Sequence, residues 1–206
     1  MDRRNITPQG QTAHVFVEFL EVAVSCIVFL KGFYPAGAFE RRRYMNVVVH
    51  KAKHPQLGNY IHSATFGLFP FIQKGLIERV AVIFYDKDRV PVERFVFKLA
   101  VNQSRASPVE EKSLEFTLRA FLVKLEVANP LMKSLPPGGS WEITAYFRAL
   151  PEENDATDAR MWVPTDTKQW LQPPRITPIK SMSSEPLKVQ LYLEHPSSTE
   201  PKEQEG

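Results

Sequence analysis

Apolar and polar positions recur along this chain with two different periods, and the places where the period changes mark its elements. From Gln11 to Lys31 the residues are apolar around most of a helical circumference. Only His14, Glu18, Glu21 and Ser25, at steps of four, three and four, form a narrow polar stripe. A helix of this kind has to be nearly surrounded by protein, and Gly32 is its natural stop. A second helix opens at Pro55, carries Leu57, Ile61, Ala64 and Leu68 on one face, and ends by Gly75, with Pro70 kinking its last turns. Tyr60 stands about 60° from Leu57 on the helical period, at the margin of that face, so it is expected to be part buried and part presented. A third helix has Ser107 as N-cap, Pro108 at its first position, Glu110 closing a capping box, and Asn129-Pro130 beyond its end. Leu114, Leu118, Phe121, Leu122 and Leu125 form its buried face, with Glu115 and Arg119 spaced as an i,i+4 pair on the other side.

Between and after the helices the period falls to two. The run RVAVIFYD, residues 79–86, is apolar on both faces and so is expected at the centre of a sheet. A tight polar turn, Lys87 to Val90, joins it to PVERFVFKL. After the PPGGS turn, WEITAYFRA alternates Trp141, Ile143, Ala145 and Phe147 against Glu142, Thr144, Tyr146 and Arg148, a third strand with one wet face. A shorter strand around Val47 to Val49 follows a turn at Pro35 to Gly37, and Arg41, Arg42 and Arg43 beside it read as a solvated edge that discourages sheet-to-sheet pairing. The last strand is LKVQLYLE, with Leu187, Val189, Leu191 and Leu193 inward and Lys188, Gln190, Tyr192 and Glu194 outward.

Composition changes this picture at one point. Residues 151–206 hold eight prolines against nine in the preceding 150, which excludes long helices there. Yet Trp162, Trp170, Leu171 and Ile176 are costly to leave in water. The stretch is therefore expected to wrap over the domain, with only PSSTEPKEQEG disordered. A flexible start over 1–10, one domain over 11–195 (core 11–150, wrap 151–195) and a tail over 196–206 follow, in a chain of 206 residues with 43% hydrophobic content.

Charge and candidate chemistry mostly exclude. A net charge of +3 from 26 basic and 23 acidic residues gives no footprint for direct nucleic-acid binding. Cys26 stands alone in an apolar run, so no disulfide framework or thiolate metal cluster is expected. Glu18 and Glu21 interrupt the first apolar run and no cleavage site follows, so neither a signal peptide nor a membrane span is expected, and a cytosolic or nuclear protein is. Phosphate-binding loops, zinc motifs and nucleophile elbows do not occur. His50 and His54 are separated from any shared helix by Pro55, and Asp86 and Asp88 flank a turn lysine where local hydrogen bonding favours them. No cofactor and no catalytic activity are expected.

Several stretches, FLEVAVSCIVFLKGFYPAGAF, HPQLGNYI, DKDRVPVERFVF, LRAFLVKL and RITPIKSMSSEPLKVQLYLE, together resemble the HORMA domain, in the branch of non-catalytic accessory subunits of translesion DNA polymerase zeta. The likeness runs from about Gln11 to His195. It implies an α+β fold of three helices on a three-stranded antiparallel sheet, with a C-terminal safety belt that closes over a partner peptide added to the sheet as a strand. The implied peptide is a proline-containing motif of the polymerase's catalytic subunit, contacted by Tyr60, Trp170 and Leu171. An acidic loop expected beyond Leu171 is shortened here to Gln172-Pro173-Pro174, so no contact is assigned there. The resemblance also implies that Ile176, Gln190 and Tyr192 bind the C-terminal domain of a scaffold translesion polymerase, that Arg119 lies at a HORMA homo- or heterodimer surface, and that an AAA-type ATPase remodels the belt. It implies a nuclear location, with the cytoplasm left open. A spindle-checkpoint or meiotic HORMA adaptor regulating the cell cycle is the alternative within the same fold.

Overall fold

A computed structural model describes residues 7–102, 111–128, 137–149, 162–163, 165, 170, 173–184 and 187–196. The first helix, α1 (Pro8–Leu30), starts inside the stretch expected to be flexible. Thr7 caps it, its side-chain oxygen accepting the Gly10 N–H at 3.1 Å, and Pro8 occupies the first position, where a missing N–H costs nothing. The helix is sheathed as its sequence demands, packing on α2 (Pro55–Phe66), α3 (Phe69–Gln73), α4 (Glu111–Val127) and the hairpin of β1 (Phe39–Tyr44) and β2 (Val47–Ala52). Phe16, Phe19, Leu20 and Ile27 are fully buried, and Phe19 meets Phe97 and Phe121 edge-on at 6.2 and 5.9 Å. By length and composition α1 could cross a membrane, but 72% of its most apolar window lies inside the domain.

The second predicted helix is divided. α2 ends at Gly67 and Pro70 falls at the second position of the short α3, where its missing N–H is tolerated. Gly32 and Gly75, the two predicted stops, have positive φ of 63° and 71°. The β1–β2 hairpin turns on Met45 and Asn46, both at positive φ, and places Arg41, Arg42 and Arg43 exposed on β1. On α4 the predicted buried residues Leu114, Leu118, Phe121, Leu122 and Leu125 are all buried. The capping residues Ser107, Pro108 and Glu110 lie outside the described residues, as do Asn129 and Pro130.

The main sheet has β3 (Ile77–Tyr85), β4 (Pro91–Val101), β5 (Ser140–Phe147), β6 (Arg175–Ser184) and β7 (Leu187–His195) in the order β5-β3-β4-β7-β6, all antiparallel. The three expected strands are its first three neighbours, and the C-terminal segment adds two more. LKVQLYLE pairs with β4 from Val101↔Leu187 to Arg94↔Glu194. This register turns Leu187, Val189, Leu191 and Leu193 into the helix-covered core, each at 1% exposure or less; each such side chain contributes about 2 kcal/mol of burial. One ion pair is sealed in this core: Lys31, capping α1, meets Glu93 of β4 with both side chains at 1% exposure, and its ammonium lies 5.4 Å from the centroid of Phe84.

Candidate functional site

Among the described residues, β5 is paired on one side only, through β3, so its outer edge is free. In an antiparallel ladder alternate residues direct their N–H and C=O to opposite sides. Ile143 is in the outward set, since its N–H donates to the Tyr60 hydroxyl at 3.1 Å. Tyr60 reaches the edge from α2 because it sits at the margin of that helix's buried face, beside Leu57 and Ile61. The residue is 42% exposed, and its ring meets Trp141 of β5 edge-on at 5.3 Å. Trp141 is held in turn, its indole N–H donating to the Tyr34 hydroxyl at 3.1 Å. Burial is the main cause that raises the Tyr60 pKa, opposed by the Ile143 hydrogen bond, so at neutral pH the phenol is uncharged. The result is an open strand edge with an aromatic wall along it, a geometry that can take up an extended peptide through main-chain hydrogen bonds.

Trp170 is placed elsewhere. Its indole donates to Glu194 at 3.2 Å, and the Arg94 guanidinium lies 4.8 Å from its ring centroid. Arg94 and Glu194 are register partners on β4 and β7 and stand 3.7 Å apart. They belong to the sheet face away from the helices, on strands two and three places in from the β5 edge, roughly 10 and 15 Å by strand spacing. Tyr60 and Trp170 are therefore not brought together: one borders the open edge on the helix side, the other ties the C-terminal segment to the opposite face. Leu171 lies outside the described residues. Trp162 returns to the helix layer, half buried against the core, and a Cβ on Gly67 would come 3.2 Å from its indole nitrogen. A glycine at the end of α2 thus leaves room for this segment.

The face opposite the helices is where Ile176, Gln190 and Tyr192 meet. Gln190 and Tyr192 point away from the buried leucines of β7, and Ile176, opposite Glu194 in register, joins them at 57% exposure. Beneath Tyr192 lies a small second core of Ala81, Ile83, Tyr85 and Val96, flanked also by Tyr146. Burial is the largest cause raising the Tyr192 pKa, followed by the Glu194 charge. Arg119 lies half buried on α4, on one helical face with the exposed Phe116, Val123 and Val127.

The strand pattern marked Trp141 only as an inward strand residue and Glu194 only as an outward one, and Tyr34 and Arg94 carried no signal of a site. The Trp141–Tyr34 bond spans 107 residues of sequence, beyond any local period.

A family model described as the HORMA domain matches residues 13–139. The chain belongs to the HORMA domain family. It is 58% identical over 201 residues to a protein of Arabidopsis thaliana named DNA polymerase zeta processivity subunit, covering 98% of this chain and 94% of the relative. It is 34% identical to the human protein named mitotic spindle assembly checkpoint protein MAD2B, with 94% and 95% covered. Among solved structures, a chain of the mitotic checkpoint complex superimposes with TM-score 0.74 at 17% identity, over 90% of this chain and 98% of that one. C. elegans HTP-2 bound to a HIM-3 closure motif superimposes with TM-score 0.72 at 9% identity, over 92% of each. At such identities these structures speak for the HORMA fold alone.

Proposed function

We propose that this HORMA protein is a non-catalytic adaptor subunit of DNA polymerase zeta, supporting synthesis past DNA lesions. It captures a proline-containing peptide of the catalytic subunit as an added strand on β5, beneath its C-terminal segment, and bridges that subunit to the scaffold translesion polymerase through Ile176, Gln190 and Tyr192. The observation that carries the reading is the outer edge of β5, unpaired among the described residues, with Tyr60 and Trp141 beside it. The accessory role draws on the name of the plant relative, a polymerase zeta processivity subunit, at 58% identity. Capture of a peptide draws on the fold neighbours HTP-2 and HTP-1 of C. elegans, each solved bound to a HIM-3 closure motif. Aromatic walls suit proline rings, since both are rigid and lose little entropy on docking.

The remaining elements follow from the same reading. Trp170 and Leu171 belong to the segment that closes over the peptide, an AAA-type ATPase reopens it, and Arg119 with its apolar neighbours on α4 forms a HORMA dimer surface. The protein acts in the nucleus. Titration calorimetry with a synthetic proline-containing peptide from the catalytic subunit tests the clasp: Tyr60→Ala combined with Trp170→Ala should weaken binding at least tenfold, and unchanged affinity sinks the assignment. The relatives named as spindle checkpoint proteins support a second reading, a cell-cycle HORMA adaptor. Mass-spectrometric identification of the peptide held by the protein from nuclear extract separates the two.

A further inference from the structure

The central donor of the β5 edge is already occupied. Ile143 N–H donates to Tyr60 Oη at 3.1 Å, while Trp141 and Ala145, two residues to either side, share its outward phase. An unpaired edge donor invites pairing with any other strand, and the tyrosine oxygen satisfies this one. A strand that joins β5 must nonetheless bring a backbone carbonyl to the same N–H. One N–H cannot hold two acceptors at about 3 Å in good geometry.

We propose that the Tyr60 hydroxyl is a placeholder for the partner's backbone carbonyl: it caps Ile143 in the free protein and is displaced from that N–H when a peptide strand docks, while the ring stays as a wall. This rests on the docking reading above and deepens it, because it makes Ile143 the point of exchange between intramolecular and intermolecular bonding. Three features of the contact fit such a device. Tyr60 is 42% exposed, so its ring has room to shift. Its ring is braced on Trp141 rather than enclosed, so it can move without opening a cavity in the main core. Its phenol, neutral at pH 7 by its ordinary value and pushed further up by burial, gives up a neutral hydrogen bond of modest net strength rather than a charged one. The carbonyl that replaces it also fixes which peptide residue stands opposite Ile143, so the exchange sets register.

Tyr60→Phe isolates the hydroxyl, keeping the ring. In the free variant the Ile143 amide should exchange with solvent about tenfold faster by NMR, with the inward amides of Glu142 and Thr144 unchanged. The same variant should bind the synthetic proline-containing peptide roughly fivefold tighter, the size of one neutral hydrogen bond no longer surrendered, whereas Tyr60→Ala, which also loses the wall, should bind more weakly than wild type. Unchanged exchange at Ile143, or a Tyr60→Phe affinity equal to or below wild type, overturns the proposal. A wild-type protein that binds no such peptide defeats the docking reading and the displacement with it, and the exchange at Ile143 then reports on the cap alone.

Discussion

Lys31 and Glu93 bring opposite charges together inside the core, 62 residues apart in sequence and both at 1% side-chain exposure. Taking two charges out of water is tolerable only while each has its partner. Glu93→Ala should therefore cost about 3–5 kcal/mol in urea unfolding, because it leaves the lysine charge buried, whereas Lys31→Met combined with Glu93→Leu should restore most of the loss. Neither residue drew notice in the sequence: Lys31 closed a helix and Glu93 sat in PVERFVF as one polar residue among apolar ones. Tyr60 was legible, because a margin position on a helix stripe is computed from spacing alone. Its bond to Ile143, across 83 residues, was not.

At the scale of elements, β7 shows both what the pattern carries and where it stops. The alternation in LKVQLYLE named the inward residues, and all four are buried. Its partners, β4 on one side and β6 on the other, were invisible, because alternation states which face is wet and nothing about which strand lies alongside. Leu191→Ala should cost about 2–5 kcal/mol, read from the shift in urea midpoint, since it opens a cavity where the C-terminal pair meets the core. On the outer face of the same strand, Gln190→Ala with Tyr192→Ala should abolish scaffold-polymerase binding in a pull-down and leave peptide binding intact; loss of both would mean misfolding. The split of the second helix had a readable cause in Pro70, but the spacing marked a kink where the chain forms two helices.

Over the whole molecule, burial sets the response to alkali. Tyr44, Tyr60, Tyr85 and Tyr192 are all raised above the ordinary phenol value of 10.0, with burial the first cause, and burial pushes the Cys26 thiol from 9.0 up to about 12. A group whose folded pKa exceeds its unfolded value stabilises the fold fully below the unfolded value, and that contribution is lost as pH rises toward the folded one. Stability should thus be level through neutral pH on account of these groups and fall from about pH 9 upward, checked by urea midpoints measured alongside phenolate absorbance. A flat profile from pH 9 to 12 would contradict the burial of these side chains.

Hydrophobic period by itself marked the helical stretches of α1, α2 and α4 and the strands β2, β3, β4, β5 and β7, the buried residues of α4 and β7, and that α1 has to be sheathed; it gave no sign of β1 or β6. These are local properties, set by 3.6- and 2-residue repeats within a dozen residues. Only the tertiary structure decided that, among the described residues, β5 and the next strand β6 stand at opposite edges of one sheet, that β5 is paired on one side only, and that Tyr60 caps its other side. Strand order and side-chain meetings depend on contacts between residues far apart in sequence, and no local repeat encodes which of several compatible surfaces will meet.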